Sequence, residues 1–312
     1  MFRKLLALFF LLLFLPAGAL AMPAPPDPPV VRPLQDGELR FWETQGAEAW
    51  NARDRELFPD AEAVLTVIAP ELERAGDCFI LRCGGETALI DCGEFGPRNL
   101  VLRILDQLGI DRFDFVLSTH PHDDHISGII ELLGKVEIGR IYVGFDRHYS
   151  NLNKRLYREA LALDIPVTQV ETPLELRLGA ASLSLYQVPW GDNTNNRSIV
   201  TRVTLGDRSL LLPADIGQSG IVWLMDTYGP ERFRADILKV AHHAIDRMPP
   251  ELLEAVQPEA VFITYYPHSR NEKTVKQLRQ HGFEPLFSGL GTLVFKTGGQ
   301  TWTETQLPRE GQ

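Results

Sequence analysis

FVLSTHPHDDHISG, residues 115–128, sets a short apolar strand directly before a histidine-rich turn. Side chains that follow a strand at once project from a rigid edge, and active sites of α/β folds sit at the carboxyl ends of strands. His120 and His122 are two residues apart, which in extended backbone sends both rings to one side, and His125 approaches from the following turn. Three imidazoles with the carboxylates of Asp123 and Asp124 inside six residues form the donor set of a metal site. A solvated polar loop with no ligand role does not call for this density or this order.

Outward from that turn, short β-branched runs alternate with helical patterns. Upstream lie AVLTVIA, CFILRC and TALID, then the helical LVLRILDQL. Downstream come a helix over Gly128–Leu133, the strand IYVGF, a helix over Leu152–Leu163, and the strands LSLYQV, SIVTRVTL, SLLLPA and DILKVA. A helix near Lys273–His281 and the strand TLVFK close the pattern. Strands alternating with helices predict an α/β architecture. No fixed-period repeat and no second linker breaks the run, so a single domain is expected over residues 61–303, with 304–312 as a C-terminal tail. The 312 residues, 44% of them hydrophobic, are ample for a large core.

The first 21 residues read differently. Arg3 and Lys4 precede an apolar run from Leu5 to Leu15, and Ala19-Leu20-Ala21 supplies small residues for cleavage, the pattern of a secretory signal peptide. The competing reading, a membrane anchor, needs about 20 apolar residues, and this run stops at Pro16. Cleavage after Ala21 is therefore expected, with no stable membrane anchor left and a periplasmic or extracellular location. Residues 22–60, opening with MPAPPDPPVVRP, read as a proline-rich linker and N-terminal extension. Losing Arg3 and Lys4 takes the formal net charge from −10 to −12. Such acidity favours solubility over binding to a polyanion, although bound divalent cations would invert the field locally. Three cysteines leave at least one unpaired. Cys78 and Cys92 fall opposite each other if Cys78–Cys83 and Thr87–Asp91 make a hairpin through Gly84-Gly85-Glu86, so one disulfide or three buried thiols remain open.

STHPHDDH resembles the H-x-H-x-D-H signature of the metallo-β-lactamase superfamily, which implies an αββα sandwich and a metal-dependent hydrolase. Other landmarks follow in order. LIDCG, with Asp91, resembles the first motif, LLLPAD ends in Asp215 at the place of the carboxylate that bridges two metals, and ADILKVAHHA supplies His242 and His243 at the last ligand motif. Within the superfamily the pattern is similar to the hydrolase domain of ComEC-type competence DNA-uptake proteins. Its GQGD, LIDTG, H-x-H-x-DH-x-GG, N-x-S, LLTGD and LKVGHHGS segments are matched by AGDC, LIDCG, HPHDDHISG, NNRSIV, LLPAD and LKVAHHA, without that family's membrane channel.

The resemblance implies two divalent ions, zinc or the harder manganese. His120 and His122 would face the first, Asp124, His125 and His242 the second, with Asp215 bridging and His243 open as the alternative to His242. Many relatives have a further histidine before the bridging carboxylate, where this chain has Asn195 and Asn196, so an amide oxygen would complete the first shell. His148 is a substitute, although a surface loop suits it better. Asp91 reads either as the carboxylate that orients a ligand imidazole or as a cap after its strand. Ala244 replaces the glycine of HHGS. In ITYYPHSRN, the residues Tyr265, Tyr266 and His268 could reach the cleft, His268 to bind an oxyanion or protonate a leaving group beside Asp124. His281 reads as structural or exposed.

Paired divalent ions suit phosphoester hydrolysis, with a small-molecule or phosphorylated substrate, and nucleic acid enters by family analogy. No Lys/Arg cluster with interleaved aromatics stands out in the sequence to track a nucleic-acid backbone. Lactam, lactone or thioester hydrolysis is the second reading, and a non-catalytic metal-binding module the third.

Overall fold

The computed structural model describes residues 63–67, 74–94, 96, 100–191 and 193–308. The expected signal peptide, the linker and the last four residues lie outside them. Among the described residues no helix is long and apolar enough to cross a membrane.

Two sheets dominate. The first has eight strands in the order Trp302–Pro308, Gly291–Thr297, Ala63–Val67, Cys78–Cys83, Glu86–Cys92, Phe115–Ser118, Ile141–Val143 and Val167–Gln169. The second has seven, in the order Leu286–Phe287, Ala260–Ile263, Ile237–Lys239, Arg208–Leu212, Val200–Leu205, Ala181–Tyr186 and Leu174–Leu178. Sequence explains how they stack. Central strands here are apolar on both faces, which is what burial from two sides requires. Ile90, Leu117, Leu210 and Leu212 point into the layer between the sheets, where Phe79 of one meets Phe262 of the other edge-on with ring centroids 6.2 Å apart. Their alternate neighbours Leu89 and Val116 face a cluster with Val101, Leu105, Ile126, Ile129 and Leu156, from the helices Val101–Gln107, Asp123–Leu132 and Asn151–Ala162. Leu211 and Leu238 face Ile221, Leu224, Leu252 and Leu278, from the helices Gln218–Tyr228, Pro250–Val256 and Glu272–Gln280. The result is the expected αββα sandwich.

The hairpin predicted from the glycines forms. Gly84 and Gly85 have φ of 60° and 86°, the left-handed values that a two-residue turn demands, and Cys83 pairs with Glu86 across it. The turn is one residue shorter than the expected Gly84-Gly85-Glu86, and a bulge between Cys78 and Phe79, opposite the left-handed Asp91, is what sets Cys78 opposite Cys92; both are buried free thiols, and Cys83 is a third. The hydrogen bond to Cys92, with burial, pushes the Cys78 thiol well up.

Two boundaries differ from expectation. The helix placed at Gly128–Leu133 begins at Asp123, because the carboxylates of Asp123 and Asp124 favour its positive N-terminal end and His122 turns the chain into it from extended backbone. At the C-terminus, the strand Trp302–Pro308 pairs along Gly291–Thr297 from Thr297↔Trp302 to Gly291↔Pro308, so the sheet runs past Thr303 into the segment assigned to a tail. TWTETQLP is too polar to announce itself as a strand.

Parallel pairing aims the site. Glu86–Cys92 runs parallel to Phe115–Ser118, which puts the chain at Asp91 beside the chain at His120. In the other sheet Arg208–Leu212, Ile237–Lys239 and Ala260–Ile263 are also parallel, so Asp215, His243 and Thr264 emerge at one end. Gly128 then seats the ligand-bearing helix. Its N–H donates to Gly93 O at 2.8 Å, and a Cβ there would come within 2.1 Å of Cys92 O. Gly128→Ala is expected to lower stability by about 2 kcal/mol. Its clash with rigid backbone exceeds the ~1 kcal/mol that alanine adds in a helix interior. Thermal unfolding followed by circular dichroism checks this, and a variant as stable as the parent would show that the helix can lift off the strand.

Candidate metal centre

Each side chain of the site is placed by a turn that its sequence dictates. Asp91 closes its strand at φ 52°, and both of its oxygens are used. Oδ1 accepts the Thr119 N–H at 2.8 Å, and Oδ2 accepts the Thr119 hydroxyl at 2.6 Å and faces His125 Nδ1 at 2.7 Å. Asp91 is thus the carboxylate that fixes the His125 ring, with Nε2 turned inward, and of its two open readings orientation is the one the geometry shows. His120 Nε2 lies 3.1 Å from His122 Nδ1, so the two rings that alternation sends to one side do converge.

Asp215 stands at the centre, 1% exposed, after a left-handed residue at Ala214. Its Oδ2 lies 3.3 Å from His125 Nε2 and 3.8 Å from His120 Nε2, while Oδ1 lies 3.3 Å from His243 Nε2. Three consecutive residues, His242, His243 and Ala244, also have positive φ, so the two rings of the pair leave the chain in different directions. His243 is the one that faces Asp124, its Nε2 3.4 Å from Oδ2. His242, the histidine assigned to that position from the sequence, instead points its Nε2 toward Asp215 Oδ2 at 3.7 Å and its Nδ1 at Asp246 Oδ2, 2.7 Å away. Two adjoining donor sets follow, His120–His122–Asp215 and Asp124–His125–Asp215–His243, each with its donor atoms mutually within 4.8 Å.

These residues fit divalent cations. Ligands about 2.0–2.2 Å from a tetrahedral ion stand roughly 3.4 Å from one another, the spacing seen around His243 and His125. His125 Nε2 and His243 Nε2 are buried without a hydrogen-bond partner, although both aim into the cluster. The charge balance agrees. Burial pushes His120 well below the usual imidazole range and lowers His122, which leaves neutral rings ready to donate. Burial also opposes charge on His243, yet Asp215 beside it drives that ring up to about 9, and Asp215 and Asp91 likewise raise His125. Without cations the carboxylates thus collect protons on the imidazoles that metal would displace.

Residues that sequence reading passed over complete the network. Lys239, 0% exposed, forms an ion pair with Asp77 Oδ2 at 2.7 Å, donates to Ala214 O at 2.7 Å and reaches Asp215 Oδ1 at 3.5 Å. Thr264 donates to Asp77 Oδ1 at 2.6 Å, and its hydroxyl lies 2.9 Å from His243 Nδ1. A lone lysine inside the apolar strand ILK is the signal that could have found this set, because a buried cation requires a partner.

Other candidates lie elsewhere. Asn196 is spent on the helix Gln218–Tyr228, accepting the Gly217 N–H at 3.1 Å and donating to Ser219 at 3.0 Å, while the Asn195 amide nitrogen lies 3.3 Å from His242 Nε2. His268 is exposed, in ring contact with Tyr265 and Tyr266, and its Nδ1 accepts the Arg270 N–H. Among the described residues no hydrogen bond or ion pair joins it to the cluster. His148 lines a surface cavity with Arg147, Lys154, Tyr157 and Arg158. The sequence hid this cationic group because Lys154 and Arg158 are four apart on one helix and Arg147 joins them from the loop before it.

A family model described as the metallo-beta-lactamase superfamily matches residues 72–273. Among solved structures, the metallo-beta-lactamase fold protein YhfI from Bacillus subtilis is 17% identical with a TM-score of 0.49, covering 72% of this chain and 95% of that one. CmlA, a diiron beta-hydroxylase from Streptomyces venezuelae, is 16% identical with a TM-score of 0.50 over 72% of this chain, which spans 52% of CmlA. A diphosphatase from the PhnP family is 17% identical with a TM-score of 0.47, covering 72% of this chain and 94% of that one. No curated protein matches the sequence.

Proposed function

The chain belongs to the metallo-β-lactamase superfamily, and on that premise we propose that it is an exported metal-dependent hydrolase of phosphoesters, phosphodiesters foremost, using two divalent ions, zinc or the harder manganese. Asp215 carries the reading, since one buried carboxylate faces both donor sets, its Oδ2 lying between His120 and His125 and its Oδ1 toward His243. When bound, paired divalent ions lower the pKa of water toward about 7 and neutralise charge on both the attacking and the leaving oxygen of an in-line displacement. Phosphoryl groups, with several anionic oxygens, gain most from that.

The chain's own groups do the rest. Burial opposes charge on Asp124, but His243 and His125 hold its carboxyl well below the usual range, so it meets water and substrate ionised from its partly exposed position at the rim. Asp91 and Thr264 fix the rings of His125 and His243 from behind, and Lys239 holds Asp215. The motif order that resembles ComEC-type domains supports a nuclease-like substrate. The overall acidity speaks for a small phosphorylated compound over long nucleic acid.

Turnover of the mature, metal-reconstituted protein on bis-p-nitrophenyl phosphate, an oligonucleotide, a lactam and a thioester tests the proposal. Phosphodiester turnover exceeding the other classes is the expected result, and activity confined to the lactam or thioester would overturn it in favour of acyl hydrolysis. N-terminal sequencing from a secreting bacterial host, expected to begin at Met22, tests the exported part.

A further inference from the structure

The first donor set holds three side chains, His120, His122 and Asp215, one short of a tetrahedral shell, and the geometry points to His242 as the side chain that completes it. This rests on the paired-metal reading above. The donors already converging on the first position are His120 and His122, with Asp215 Oδ2 shared between the two positions. His242 Nε2 is 3.7 Å from that same oxygen, matching the 3.8 Å of His120 Nε2 and within a few tenths of the spacing that a tetrahedral shell requires.

Three further observations converge. His242 Nδ1 is held by Asp246 Oδ2 at 2.7 Å, the carboxylate–imidazole pairing that ligand histidines use to direct their other nitrogen at a metal. The backbone at His242 is left-handed, φ 49°, and the His242 N–H donates to Ala214 O at 3.0 Å, so the turn that bears this ring is tied to the turn that bears Asp215. Such a conformation in a non-glycine residue persists only where the surroundings impose it. Three of the competing donors are engaged elsewhere. Asn196 binds the start of the following helix, His148 lines the cationic cavity, and His243 serves Asp124 and Asp215 Oδ1. Asn195 keeps a buried Oδ1 without a partner and sets its amide nitrogen against His242, as a neighbour of the ring and not in place of it.

The adjacent histidines are therefore divided, His243 to the second ion and His242 to the first. His242 remains a quarter exposed, so the first position is the more open of the two, suited to admitting a substrate oxygen.

Cobalt(II) and zinc titrations of the mature protein test this, with ion stoichiometry and the cobalt absorption spectrum as readouts independent of turnover. His242→Ala is expected to keep one tightly held ion and to bind the other at least ~100-fold more weakly, because loss of an outer-shell partner alone already weakens metal binding 10–100-fold. Asp246→Asn is expected to weaken the same ion by about 10–100-fold. Asn195→His placed in the His242→Ala background is expected to restore two ions by supplying an imidazole from the other side. Circular dichroism establishes that each variant is folded. A His242→Ala protein that holds two ions with parental affinity and an unchanged cobalt spectrum would overturn the assignment. A parent that binds no ion would overturn the paired-metal reading itself, a distinguishable result.

Discussion

Asp215→Asn is expected to lose paired metal binding and to lower kcat/KM on a phosphodiester by at least about 10³-fold, some 4 kcal/mol of transition-state stabilisation. The substitution preserves shape, so the effect isolates charge and donor type. Burial alone would disfavour an ionised Asp215, yet His243, His125 and Lys239 hold it well below the usual carboxylate range. Both oxygens are therefore anionic acceptors, Oδ2 shared between the two donor sets and Oδ1 turned to His243. An amide offers a single oxygen, and its NH2 group would be turned on either the His125 and His120 nitrogens or on His243, blocking one position outright. Elemental analysis with steady-state kinetics checks the expectation. Two ions retained with kcat/KM within tenfold of the parent would mean that the positions do not share Asp215.

The fold and most of the donor set were legible because they rest on short-range rules. Strand FVLS, the glycine turn at 84–85 and the HPHDDH run each depend on local geometry, whereas the pairing Cys78↔Cys92 needs a bulge at Asp91 that no local rule announces. What stayed hidden depends on contacts distant in sequence. Which ring of His242-His243 faces which ion is set by two left-handed residues in a row, a conformation with no period to detect and no glycine to announce it. Asn196 could be assigned to the site only while the helix Gln218–Tyr228 was unrecognised. Its SGIVWLMDTY is rich in β-branched and aromatic residues, poor helix formers that tertiary packing overrides. His268 looked functional by its place after a strand, whereas the contact with the site comes from Thr264, four residues earlier, whose hydroxyl no motif singled out.

Lys239→Met is expected to destabilise the metal-free protein by about 3–5 kcal/mol, the usual consequence of removing one partner of a buried ion pair. Methionine nearly reproduces the length and apolar stem, so packing among the strands of the second sheet should survive. What is lost is the cation between Asp77 and Asp215 and the donor to Ala214 O. Two carboxylates would then face each other without a cation between them, in a site that excludes water. The sign of the pH dependence follows. In the parent the folded-state pKa of Asp215 is depressed, so its contribution to stability is present above the unfolded pKa and fades as pH falls toward the folded one. In the variant Asp215 keeps His243 and His125 but loses Lys239, so its depression is smaller and less stability fades on acidification. Parent and Lys239→Met stability curves in chelator are thus expected to approach each other as pH falls below about 4. The double variant Lys239→Met/Asp77→Asn should be less destabilised than the sum of its parts, since the amide still accepts from Thr264 without a buried charge. Denaturant unfolding across that range decides the matter. Parallel pH curves with strictly additive effects would show that Lys239 contributes packing alone and leaves Asp215 to be held by the imidazoles.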